Sequence, residues 1–164
     1  IIFFALSSQY LISSPIDHHQ ERFEVVALKI WEYAELGYLE EKSSSLLQQE
    51  LKDSGFTIQS GVAGIPTAFI AEYNNGGPVL GILGEFDALP GLSQQNVPFK
   101  TAEGLSSANG HACGHHLFGA ASAWAVVAIK DWLQESGTPG TIRFYGTPAE
   151  EGGSGKVYLS LIHI

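Results

Sequence analysis

Apolar residues recur at every third or fourth position from about His18 to Leu36. Phe23, Val26, Ala27, Ile30 and Ala34 form one stripe, which predicts an amphipathic helix ended at Gly37. A second stripe of Leu46, Leu47 and Leu51 predicts a helix from Glu41 to Ser54, with Gly55 as its stop. The texture then changes. Thr67–Tyr73 reads as a strand, Asn74–Gly77 as a turn and Pro78–Gly84 as a second strand. The unbroken apolar run of that second strand predicts burial on both faces, as at the centre of an α/β sheet. Residues 90–110 are rich in Pro, Gly, Ser, Asn and Gln and predict a long loop of the functional kind. From Leu117 to Glu135 the chain is apolar almost all round until Lys130, so this helix is expected to lie buried against the sheet. Gly140–Gly146 reads as a third strand. Helix, helix, strand, strand, loop, helix, strand describes a layered α/β domain, in which ligands gather where strands hand over to loops.

Composition narrows the classes. A chain of 164 residues that is 45% hydrophobic suits one domain with a real core. Only 8 Lys and Arg face 17 Asp and Glu, giving a net charge of −9 with no basic stripe, which argues against a nucleic-acid partner. The single cysteine excludes an intrachain disulfide and fits a reducing, cytoplasmic setting. Ile1–Ser8 is apolar and then small. It reads equally as the remnant of an export signal or as a plain lead-in. It falls short of the roughly 20 apolar residues that span a bilayer, so no membrane association is expected.

The chemistry concentrates in two clusters. Gly110-His111-Ala112-Cys113-Gly114-His115-His116 packs one thiol and three imidazoles into seven residues, the ligand types of zinc and its neighbours. Cys113 and His115 are two apart, and in an extended segment both would face one cation. Downstream, adjacent Glu150 and Glu151 in non-helical backbone would point in divergent directions. One is suited to bind metal and the other to exchange a proton with water. Asp87 follows the second strand in Glu85-Phe86-Asp87 and could orient a ligand or bridge two metals. Taken singly, each feature has a plainer reading: a lone cysteine as a small core residue, a Glu pair as a solvated surface, Asp87 as a turn cap. His18 and His19 read as a solvated helix start, and His111 has no assignable role.

At these residues the sequence resembles the M20 metallopeptidase family, in its amidohydrolase branch. The motifs that carry the resemblance are Ile30-Trp31-Glu32 with Glu35-Leu36-Gly37-Tyr38, Gly64–Ala68, Gly84–Gln94, Asn109–His115 and Gly146–Gly153. The resemblance implies a three-layer α/β/α sandwich of the zinc-exopeptidase kind, here ending before an inserted dimerisation domain. It implies Cys113, His115 and Glu151 as metal ligands, Glu150 as general base and Asp87 as the supporting acid. It further implies two divalent ions in the complete protein, zinc first, with manganese or cobalt accommodated. The expected substrate is a small amide: an N-acyl amino acid, an aminobenzoyl-glutamate or a dipeptide. The complete protein is expected to form a homo-oligomer through the inserted domain. Residues 1–17 are expected to be a lead-in, 18–159 a partial catalytic domain and 160–164 an appended tail, which discounts His163 as a ligand. His116 stands where the family commonly has Asp or Asn. With a downstream histidine ligand beyond the chain, the chain alone is expected to be inactive. The competing expectation is a non-catalytic metal-binding module.

Overall fold

The computed structural model of the chain describes residues 17–95, 97–101 and 108–161. The lead-in up to residue 16 and the tail from residue 162, His163 included, lie outside the described residues. Helix α1 (Gln20–Tyr33) and helix α2 (Glu41–Asp53) are followed by strands β1 (Thr57–Ser60), β2 (Phe69–Asn74) and β3 (Val79–Gly84). Helix α3 (His115–Ser136), strand β4 (Thr141–Gly146) and helix α4 (Gly155–Leu161) complete the order. The four strands align as β1-β2-β4-β3, with β3 and β4 parallel and the other pairs antiparallel. α3 is the crossover that makes β3 and β4 parallel.

The two periodicities explain the layers. The α1 stripe buries Phe23, Val26, Ala27 and Ile30, as its spacing predicts. With Leu47 and Leu51 of α2 and Ala123, Val126 and Val127 of α3, these residues cover one sheet face through Phe69, Ala71, Ile142 and Phe144. Each large apolar side chain so buried contributes about 1.5–3 kcal/mol. Alternation along β2 sends Ile70 to the opposite face. There Leu159 of α4 packs with Val62, Ile65 and Ala68.

Three expectations are corrected. The second strand, β3, is not central: it is the sheet's edge among the described residues, and Val79, Leu80 and Leu83 stay about half exposed. Its apolar run is unburied because nothing described lies on its outer side. α1 stops at Tyr33 rather than Leu36, with Ala34 in the left-handed region at φ 40°. The chain is drawn out there because Glu35 O accepts the Ala88 amide at 2.8 Å and Leu36 bridges to Ala88. His19 is half-buried, its Nε2 2.8 Å from Asp131 Oδ2 on α3. The polar strand β1 carries no apolar signal and goes unread in the sequence.

Candidate metal centre and active site

The site forms where β3, β4 and the N-terminus of α3 meet. After β3 the chain continues as Glu85-Phe86-Asp87. Phe86 is fully buried in the core, so both acids point the other way. Gly114 takes φ 81°, a left-handed turn that starts α3 and places His115 at its first position. The expected extended arrangement of Cys113 and His115 is therefore replaced by a turn, closed by Gly114 N donating to His111 O at 3.1 Å.

His115 is the hub. Its Nδ1–H donates to Asp87 Oδ1 at 2.9 Å, and its Nε2 lies 2.8 Å from Glu85 Oε2. Glu150 Oε2 is 3.8 Å from Nε2, and Glu151 Oε1 is 3.7 Å from Nδ1. The hydrogen bond to Asp87 raises the His115 pKa above its ordinary value against the opposing effect of burial, and the surrounding carboxylates add to it. Burial alone would raise the Asp87 pKa. Hydrogen bonds from His115 and from the Glu151 amide, at 2.9 Å to Oδ2, outweigh burial and hold the carboxyl below the usual range. The exposed Cys113 thiol is pushed up by its hydrogen bond to Glu151 and by neighbouring carboxylates.

Of the five residues expected from the sequence, Asp87, Glu150 and Glu151 surround the His115 ring, and Cys113 reaches them through its hydrogen bond to Glu151. The tightest group of donors includes one that was not expected. One donor atom each from Glu85, His115 and Glu150 lie within 4.8 Å of one another. Glu85 also pairs with Lys156 of α4. The signal for Glu85 was its place two residues before Asp87, on the same side of a strand exit. The donor chemistry fits a divalent cation: one thiol, one imidazole and several carboxylates. The structure supplies a physical sign as well, since Glu151 Oε1 is buried with no hydrogen-bond partner. Such an oxygen is costly unless something positively charged meets it.

His111 and His116 lie behind the centre. His111 is buried and donates from Nε2 to Ile30 O at 3.0 Å. His116 meets Trp31 edge-on at 4.8 Å between centroids and packs 5.1 Å from His111. Burial, with the neighbouring histidines, lowers the His116 pKa to about 4, so it is neutral at pH 7. Both rings pack against Trp31, and each leaves its Nδ1 buried without a hydrogen-bond partner.

The model for peptidase family M20/M25/M40 matches residues 81–161. A p-aminobenzoyl-glutamate hydrolase polypeptide of Escherichia coli is 43% identical over 148 residues, which is 90% of this chain and 31% of that protein. The Xaa-Arg dipeptidase of Homo sapiens is 33% identical, over 88% of this chain and 33% of that protein. Among solved structures, a Bacillus subtilis protein described as a dinuclear metal-binding peptidase of the M20 family superposes with a TM-score of 0.74. It is 26% identical, over 90% of this chain and 40% of its own. The chain therefore spans about a third of the length of the curated relatives it matches.

Proposed function

This chain is M20-like in sequence and in fold, and from that premise we propose that it is the N-terminal part of the catalytic domain of a metal-dependent amidohydrolase. The observation that carries the reading is the convergence of Asp87, Cys113, His115, Glu150 and Glu151 on one centre, with a buried Glu151 oxygen that lacks a hydrogen-bond partner. In this reading Cys113, His115 and Glu151 hold the metal, and the complete protein carries two ions. Zinc suits the thiolate, with manganese or cobalt as alternatives. Glu85 is well placed to join the ligand set.

A divalent cation in this centre would polarise the amide carbonyl and acidify a water molecule. The chain's own residues do the rest. Asp87 takes the Nδ1 proton of His115 in a hydrogen bond, which fixes the ring and leaves Nε2 facing the other donors. Asp87 also anchors the Glu151 amide, so one carboxylate sets two neighbours. Glu150 is the most exposed of the acids, its side chain 41% accessible, and sits at the mouth beside His115. There it can take a proton from water and return it to the departing amine.

The substrate class proposed is the amide of an N-acyl amino acid, an aminobenzoyl-glutamate or a dipeptide. Its support is the pair of relatives whose names specify such amides. Homo-oligomerisation through residues beyond this chain and a cytoplasmic setting belong to the same reading. Among the described residues, no helix is long and apolar enough to cross a membrane.

The test is amide hydrolysis by the complete polypeptide before and after chelation. Activity lost with the chelator and restored by added zinc, manganese or cobalt is expected. Unchanged turnover in metal-free protein would sink the reading. Tight metal binding without cleavage would select the non-catalytic module instead. The 164-residue chain alone is expected to show little or no turnover.

A further inference from the structure

We propose that Glu40 is a positioning residue of this centre: its carboxylate holds the Ala149 amide and so fixes the turn that sends Glu150 outward and Glu151 inward. The proposal rests on the amidohydrolase reading above. Glu40 lies just before α2, far in sequence from the paired glutamates, and is fully buried. Its Oε1 accepts the Ala149 amide at 2.8 Å, and its Oε2 accepts the Thr67 hydroxyl at 3.0 Å. The N-terminus of α2 favours a negative charge at this position.

The grip is two-sided. Glu40 holds the amide of residue 149, and Asp87 holds the amide of residue 151 at 2.9 Å. Glu150 is the residue between, so its backbone is held on both sides. Ala149 itself sits at φ 56°, a conformation a non-glycine residue keeps only when its surroundings impose it. The surroundings that impose it come from the loop between α1 and α2. Gly37 lies so close beneath Ala149 that a Cβ on Gly37 would stand 2.9 Å from Ala149 Cα. The Tyr38 hydroxyl donates to Gly153 O on the far side of the turn. Burial raises the Glu40 pKa above its ordinary value, with hydrogen bonds from Ala149 and Thr67 opposing. A side chain there only to fill space would not need a carboxylate; this one is buried against donors that lead directly to the site.

Two variants of the complete polypeptide test this. Glu40→Gln keeps an oxygen for the Ala149 amide. Glu40→Leu fills the volume and accepts nothing. The readouts are kcat and KM on an aminobenzoyl-glutamate amide, and the affinity for cobalt(II) alone, followed by its thiolate absorption band. Groups that support metal ligands typically change affinity or activity by about 10- to 100-fold when lost. Glu40→Leu is expected to lower kcat by about that range, with KM within about threefold, and to weaken cobalt binding about tenfold. Glu40→Gln is expected to stay within about threefold of the parent on every readout. A folded Glu40→Leu protein with parental kcat and cobalt affinity, or one that loses only thermal stability, overturns the proposal. If Glu40→Leu does not fold, Glu40→Met, of similar length and without a carboxylate acceptor, takes its place under the same criteria: about a tenfold loss of kcat and cobalt affinity upholds the proposal, and parental values overturn it. A parent protein that neither binds cobalt nor cleaves the amide overturns the amidohydrolase reading itself, and the proposal with it.

Discussion

Four carboxylates stand within 3.8 Å of the His115 ring: Glu85, Asp87, Glu150 and Glu151. So much negative charge around one imidazole stabilises its protonated form, and a cation would compete with that proton. Both His115 and Cys113 have raised pKa values, and as the proposed ligands both would have to give up protons on metal binding. Metal affinity is therefore expected to climb as pH rises through neutrality, with protons released on binding. Calorimetry in two buffers of different ionisation enthalpy measures that release, and a pH-independent affinity would contradict it. At Asp87, both carboxylate oxygens accept N–H bonds, one from His115 and one from Glu151. Asp87→Asn can accept only one of these and turns an N–H toward the other. Metal affinity and turnover are expected to fall about 10- to 100-fold, measured on the complete polypeptide. A change below threefold would mean that Asp87 does not orient the centre.

At the scale of elements, the segment between α1 and α2 joins the site together, and one glycine shows how tightly. Gly37→Ala would drive a Cβ into the Ala149 backbone at 2.9 Å. Overpacking of this kind costs about 1–3 kcal/mol, readable as a lower Tm. A Tm unchanged within a degree would contradict the contact. The docking of the α1 entry onto α3 has its own pH signature. Burial on its own would raise the Asp131 pKa, but hydrogen bonds from Lys130 and His19 lower it below its ordinary 3.8. A depressed carboxyl contributes stability above its unfolded pKa and loses it as pH falls through the folded one. Asp131→Asn is thus expected to cost about 0.2–1 kcal/mol at pH 7, a gap that closes only below about pH 3.8. Denaturation curves from pH 7 to 3 check this. Helices α1 to α3 and three strands were legible because their apolar spacing is strong, whereas the seven-residue α4 was too short to show a period. Asp87, Cys113, His115, Glu150 and Glu151 could be singled out because their residue types and order match a metal-site pattern, and the structure places them near one another. Glu40 and Glu85 were not, since a lone glutamate in sequence looks the same whether it faces solvent or holds an amide 109 residues away. The extended reading around Cys113 failed at Gly114, whose left-handed turn leaves no mark but the glycine itself.

Across the whole molecule, the sheet is unevenly covered. Three helices bury one face, and α4 covers only a corner of the other. β3 leaves Val79, Leu80 and Leu83 about half exposed along an edge that no described strand pairs. Exposed apolar edges template further strands. The chain expressed alone is expected to self-associate, and Leu83→Lys to raise its monomeric fraction on size exclusion. An equally monomeric parent would contradict this. In the proposed function, Glu150 is the proton-transferring base of a metal-dependent amidohydrolase. The most direct measurement is turnover of metal-loaded Glu150→Gln in the complete polypeptide, with its bound metal quantified alongside. Metal content is expected to match the parent, with kcat lowered about 10²- to 10⁴-fold. Parental kcat in the fully loaded variant would contradict it.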